Sequence, residues 1–245
     1  MSDAGGSTAA PAKTGGRPLR GMFRRRPERY GFLLVLLFVD IIILFTVPDG
    51  KAWAFFTVPF VAATLLLALY TTRVEHRAMV FAWVAALAGV AFAAVAALLD
   101  IPSLQGVTYL MMTLLIVVTP VLILRRLLGH ETVNVQTILG AVCVYLLLGL
   151  LFAYVFIGVN GVSSQPFLAQ GANTQPQTYV YLSFITMATV GYGDYTPGWG
   201  LPRALCVIEG VLGQIFLVTT VARLVGLYGS RAPVLPDRDE GGGGS

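Results

Sequence analysis

Apolar residues run along this chain in blocks rather than alternating with polar ones. Five blocks are close to the length of one helical crossing of a bilayer, about 20 residues. They are GFLLVLLFVDIIILFTV (31–47), AWAFFTVPFVAATLLLALY (52–70), AMVFAWVAALAGVAFAAVAALL (78–99), GVTYLMMTLLIVVTPVLIL (106–124) and QTILGAVCVYLLLGLLFAYVFIG (136–158). A sixth runs from Pro202 to Tyr228. Between the fifth and sixth lie a polar stretch, 159–176, and a short semi-apolar segment, TYVYLSFITMA (178–188). That segment is too short to span, so it predicts a re-entrant helix. The expected fold is an all-α membrane protein with six transmembrane helices and one re-entrant helix.

Composition agrees. Of 245 residues, 56% are hydrophobic and only 11% charged, against about 25% charged in a soluble domain. The net charge of +4 does not imply nucleic acid, because Arg17, Arg20, Arg24, Arg25, Arg26 and Arg29 directly precede the first apolar block. The remaining basic residues repeat the bias. Arg73 and Arg77 follow the second block, Arg125 and Arg126 the fourth, and Arg223, Arg231 and Arg238 lie at or beyond the end of the sixth. Only Lys51 and Arg203 fall on the opposite side. Both termini are therefore expected in the cytoplasm of a multi-pass plasma (inner) membrane protein. Cys143 and Cys206 sit inside apolar blocks and read as buried free thiols. The first block lacks a cleavage site and is nearly of spanning length, which favours a helix over a signal peptide.

Four regions follow. Residues 1–29 form a disordered basic N-terminus, 30–127 a four-helix membrane domain, 128–230 a pore-like domain, and 231–245 a short tail. The tail ends in GGGGS, which reads as a flexible linker, and is expected to be too short for a nucleotide-binding or calcium-gating domain. The basic segment 17–29 sets topology and is also a candidate for anionic lipid, at about 1 kcal/mol per basic residue near the surface.

The run TMATVGYGDYTP (186–197) follows the re-entrant segment. Non-helical backbone at membrane depth must be buried in protein or line a water-filled path. Glycine at alternate positions allows backbone angles that other residues resist, so successive carbonyls can face one axis. Such a strand offers oxygens to a dehydrated cation, and one chain supplies only one wall of a ring. The helix before it ends with its partly negative terminus toward the ion route.

Residues 189–193, Thr189-Val190-Gly191-Tyr192-Gly193, resemble the selectivity filter of potassium channels. The resemblance covers roughly 136–228, in the order outer helix, turret, pore helix, filter and inner helix. It is similar to the bacterial two-helix ion-channel family, with four additional N-terminal helices. The resemblance implies a homotetramer around one pore. The carbonyls of Thr189, Val190, Gly191 and Tyr192 and the Thr189 hydroxyl would then hold K+, the permeant ion, with no other cofactor. Thr186 and Thr189 bracket the lower end of the filter and Asp194 follows it. Gly213 takes the hinge position of the inner helix by resemblance; together with Gly210 it either permits a bend or allows close packing. Thr219 and Thr220 are candidates for the cavity wall.

The sequence departs from the family pattern in three places. Many members carry an acid late in the pore helix, where this chain has Ile185; Tyr181 is the candidate to hydrogen-bond Asp194 instead, or else only packs. The fourth apolar block holds no Arg or Lys, so it lacks the arginine series of a voltage sensor. The third block is rich in alanine, suited to close helix packing. Two acids lie within the blocks, where charge is expensive. Asp40 is either structural, near Thr64, or a proton or ligand sensor. Glu209 either supports the back of the pore helix near Ser183 or Thr186, or meets the ion directly. Arg223 is expected to turn toward lipid headgroups or a neighbouring subunit.

The function expected is passive K+ conduction without steep voltage gating. A potassium transporter subunit and a non-conducting scaffold or receptor are the alternatives; a single intact filter with no internal repeat disfavours the transporter. The only histidines are His76 and His130, and no nucleophile has a base, so an enzyme is not expected. Membrane lipids and other copies of the chain are the expected partners, with no nucleic acid and no small-molecule substrate.

Overall fold

The computed structural model describes residues 30–47, 51–71, 76–99, 102–128, 135–171 and 175–229. The basic N-terminal segment, Arg73, the 128–134 connection beyond Leu128 and the tail from residue 230 lie outside the described residues. Seven helices appear in order: α1 (Tyr30–Thr46), α2 (Lys51–Thr71), α3 (His76–Leu99), α4 (Pro102–Leu128), α5 (Val135–Val162), α6 (Pro176–Met187) and α7 (Gly200–Gly229). Each apolar block forms one helix, and the short segment forms α6.

The largest boundary difference is in α4, which begins four residues earlier than the block and ends four later. Proline is favoured in a first helical turn, where its missing N–H has no partner to lose, and Pro102 opens α4. At the other end Arg125 and Arg126 lie within the final turns rather than beyond them, where cations complement the partly negative helix terminus. Pro59 and Pro120 lie inside α2 and α4.

Among the described residues three segments are long and apolar enough to cross a membrane: Gly106–Arg125, Val135–Val162 and Gly200–Gly226. Tyr30–Thr46, Phe56–Tyr70 and Ala82–Ala96 are shorter apolar stretches. The 17 residues of α1 rise about 26 Å at 1.5 Å per residue.

Helix α5 is the hub, packing against α1, α4, α6 and α7. Its pairing with α4 is antiparallel over the full length. Gly106 lies on Gly161 at one end, Leu110 on Gly158 next to it, and Leu127 on Gly140 at the other end. A Cβ on Gly106 would stand 2.7 Å from the Gly161 backbone, so the approach requires glycine there. At the Gly140 end the start of α1 joins in: Tyr30 N donates to Gln136 Oε1 at 3.2 Å, and the Cys143 thiol donates to the Tyr30 carbonyl at 3.6 Å. Arg223 of α7 reaches the same end, its Nη2 donating to the Leu127 carbonyl at 3.5 Å. Within its own chain the guanidinium thus finds a carbonyl near the end of α4, where helix carbonyls lack intrahelical donors. Both cysteines are free thiols, Cys143 buried and Cys206 half-buried.

Candidate functional site

Helix α6 aims the site. Gln175 is extended and Pro176 starts the helix, a first turn that suits proline. Twelve residues later the helix ends at Met187, and its last carbonyls remain without intrahelical donors. The next residues fill that need. Thr189 N donates to Thr186 O at 3.0 Å, Val190 N to Ile185 O at 2.9 Å, and Gly191 N to Ile185 O at 3.3 Å. The first three N–H groups of the run are thereby turned back into α6.

Positive φ angles occur at Thr189 (57°), Gly191 (51°) and Gly193 (79°), and not at Val190 or Tyr192. Alternating the sign of φ reverses every second peptide plane, which brings successive carbonyls to one side. Glycine takes positive φ without steric penalty. Thr189 does not, because a β-branched residue there is strained and persists only when its surroundings enforce it. Among the described residues, the carbonyls of Thr189, Val190, Gly191 and Tyr192 accept no hydrogen bond. The run is also exposed in a single chain, Val190 by 48% and Tyr192 by 72%.

Beyond Gly193 the chain is braced. The Tyr181 hydroxyl donates to Asp194 Oδ2 at 2.9 Å, so Tyr181 bonds Asp194 as well as packing. Its ring stacks on Tyr192, with centroids 6.4 Å apart and planes 3° apart, and meets Tyr195 edge-on at 6.2 Å. Sequence reasoning missed the other half of the brace. Gln170 Nε2 donates to the Asp194 carbonyl at 3.0 Å, and Thr196 N donates to Gln170 Oε1 at 3.2 Å. Leu168 and Pro197 form an antiparallel bridge, flanked by Ala169 N to Thr196 O at 2.9 Å and Gly198 N to Phe167 O at 2.8 Å. Trp199 Nε1 donates to Pro166 O at 3.1 Å. The polar stretch after α5 is thus anchored. Phe167 is buried between Phe156 and Tyr179, at centroid distances of 4.7 and 5.8 Å. The only sequence signal was the Pro-Phe-Leu triplet at 166–168, an apolar insertion in a polar loop.

Behind the run, Glu209 of α7 is fully buried and contacts Ser183 of α6. Ser183 Oγ also donates to the Gly149 carbonyl of α5 at 2.7 Å. Gln214 Nε2 donates to Met187 O at 3.4 Å. Gly213 packs on Met187, where a Cβ would come within 3.3 Å of Cγ, and Gly210 faces the Thr186 methyl at 3.9 Å. Gly213 is thus closely packed, and α7 runs as one helix through both glycines. Thr219 Oγ1 donates to its own helix, to Ile215 O at 2.6 Å; Thr219 is exposed and Thr220 half-buried.

Asp40 lies apart from this cluster. It is 1% exposed, and its carboxyl oxygens reach no full hydrogen bond among the described residues, with Thr64 as the polar group facing it. Among the described residues no group of three or more His, Cys, Asp or Glu side chains is placed to hold a metal ion.

Residues 140–228 match the family model described as "Ion channel", a span that takes in most of α5, all of α6, the 189–193 run and α7 to Tyr228. Protein LctB of Geobacillus stearothermophilus is 34% identical over 84 residues, which is 33% of this chain and 62% of that protein. The chain thus spans under two thirds of the length of that curated relative. No solved structure matches the chain. The apolar helices and the family match together describe a membrane protein whose 140–228 segment is similar to an ion channel family.

Proposed function

We propose that the chain is the subunit of a passive, potassium-selective channel in which four copies surround one pore. The observation that carries this reading is the 189–193 backbone: φ alternates in sign, the N–H groups of Thr189, Val190 and Gly191 are bonded into α6, and four successive carbonyls have no partner among the described residues. A ring of such walls replaces the hydration shell of K+ with carbonyl oxygen. Thr189, Val190, Gly191 and Tyr192 supply the carbonyls, and Thr189 adds its hydroxyl. The α6 C-terminus contributes a partly negative potential toward the ion.

Assembly of copies gives a role to surface that one chain leaves open. Val207, Val211, Ile215, Val218, Val221 and Val225 of α7 are all exposed and recur at three- and four-residue steps, which is one helix face. Burying that face and the exposed run against other copies, with membrane lipid outside, satisfies both. The basic residues favour six crossings, α6 re-entrant, and both termini in the cytoplasm of the plasma membrane. Helices α1 to α4 act as a support for α5 rather than as a steep voltage sensor.

The test is flux from liposomes holding purified protein under a potassium gradient. The expected result is passive K+ efflux with Na+ largely excluded. Uphill transport or silence at high protein density contradicts the proposal.

A further inference from the structure

Glu209 poses a question of hydrogen counting. The Ser183 hydroxyl has one hydrogen and two close oxygen partners, the Gly149 carbonyl on α5 and Oε1 of Glu209 on α7. The carbonyl has no hydrogen to give. Its distance of 2.7 Å from Ser183 Oγ lies at the centre of the O–H···O range, and two oxygens with no hydrogen between them do not rest there. The Ser183 hydrogen is therefore spent on Gly149. The hydrogen in the second contact must come from Glu209.

We propose that Glu209 is held as a neutral carboxylic acid, donating from Oε1 to Ser183, which in turn donates to the Gly149 carbonyl. The resulting strut runs from α7 through α6 to α5, and α6 is the helix whose last turn holds the start of the 189–193 run. Glu209 is a positioning residue in this scheme, acting on the filter through Ser183. Gly149 makes the strut possible, since a Cβ there would stand 2.7 Å from the Phe184 ring and push α6 away.

The surroundings agree. Glu209 is 0% exposed, and Oε2 has no hydrogen-bond partner. Of the titratable groups near it, Tyr145 comes from α5 and Cys206 from α7 itself; α6 presents Ser183 and, beside Gly210, Thr186. None carries positive charge, and among the described residues no cation acts on Glu209. A carboxylate there would be buried with one oxygen unpaired, which is far costlier than an unpaired carbonyl. Losing the proton would also make Ser183 choose between two acceptors, releasing either α5 or α7.

The protonation state does not depend on the channel reading, whereas its effect on conduction does. Infrared difference spectroscopy of purified wild type against Glu209→Gln reads the first directly. The expected result is a protonated-carboxyl C=O band that disappears in Glu209→Gln and shifts to higher frequency in Ser183→Ala, with Asp40 unchanged in all three proteins. A difference spectrum showing only carboxylate bands overturns the proposal. So does a Glu209 carboxyl band that Ser183→Ala leaves in place. In conducting liposomes, raising pH should accelerate current decay in wild type and leave Glu209→Gln, whose amide still donates, unaffected. An identical alkaline response in both proteins overturns the strut's role in the filter.

Discussion

At Gly191 and Gly193 nothing in the chain lies within 4 Å of where a Cβ would stand, so crowding within one chain is not what demands glycine. The demand is the positive φ, which costs an L-residue about 1–2 kcal/mol. Gly191→Ala therefore loads that strain onto each copy, about 4–8 kcal/mol over a ring of four. The expected outcome is an assembled protein that loses K+ preference over Na+ in bilayer recordings. Tyr181→Phe should behave differently. It removes an exposed hydrogen bond, and should leave ion preference intact while hastening the decay of macroscopic current. Unchanged decay would separate Asp194 from filter stability. The pentapeptide was legible from its own residues, whereas the Tyr181–Asp194 pair and the Ser183–Glu209 contact join positions 13 and 26 residues apart and stood in the sequence only as one of two alternatives each. Gln170 was not legible at all. It meets Asp194 and Thr196 from a loop more than twenty residues away, and no periodicity links two irregular segments.

Among the elements, α4 and α5 set the frame. Their glycines at 106, 140, 158 and 161 let the two backbones approach, as expected where lipid supplies no hydrophobic drive between helices. Gly106→Ala places a methyl 2.7 Å from Gly161 backbone, which cannot rotate away as a side chain can. Overpacking of this kind costs about 1–3 kcal/mol. The thermal midpoint in detergent should fall for Gly106→Ala and hold for Gly31→Ala, where the nearest atom is an ordinary 3.5 Å away. Equal midpoints would mean that the helices separate without penalty. Helix existence was plain from block length, whereas helix ends were not. Hydropathy stops at Leu124 because Arg125 and Arg126 are charged, yet the backbone continues to Leu128. The turret was read as polar, and the burial of Phe167 and Leu168 depends on Phe156 and Tyr179 from flanking helices.

For the whole molecule, the absence of basic residues between Gly106 and Leu124 limits the response to voltage. Each elementary charge crossing the field gains about 2.3 kcal/mol per 100 mV, and steep gating needs three or four per subunit. Helix α4 is also packed along α5 for its full length, so a sliding α4 would break the Gly106–Gly161 contact. Open probability should vary shallowly between about −100 and +100 mV, a range over which an arginine-based sensor responds fully. A gating charge of sensor size, insensitive to K+ concentration, would contradict the support role given to α1–α4.

The central claim is that four backbone carbonyls per chain select K+. The reversal potential of purified protein in a planar bilayer, with K+ on one side and Na+ on the other, tests it most directly. The account predicts a reversal potential far toward the K+ side in wild type, collapsing toward zero in Gly191→Ala. A wild-type reversal near zero, or strong K+ preference kept by Gly191→Ala, would contradict it.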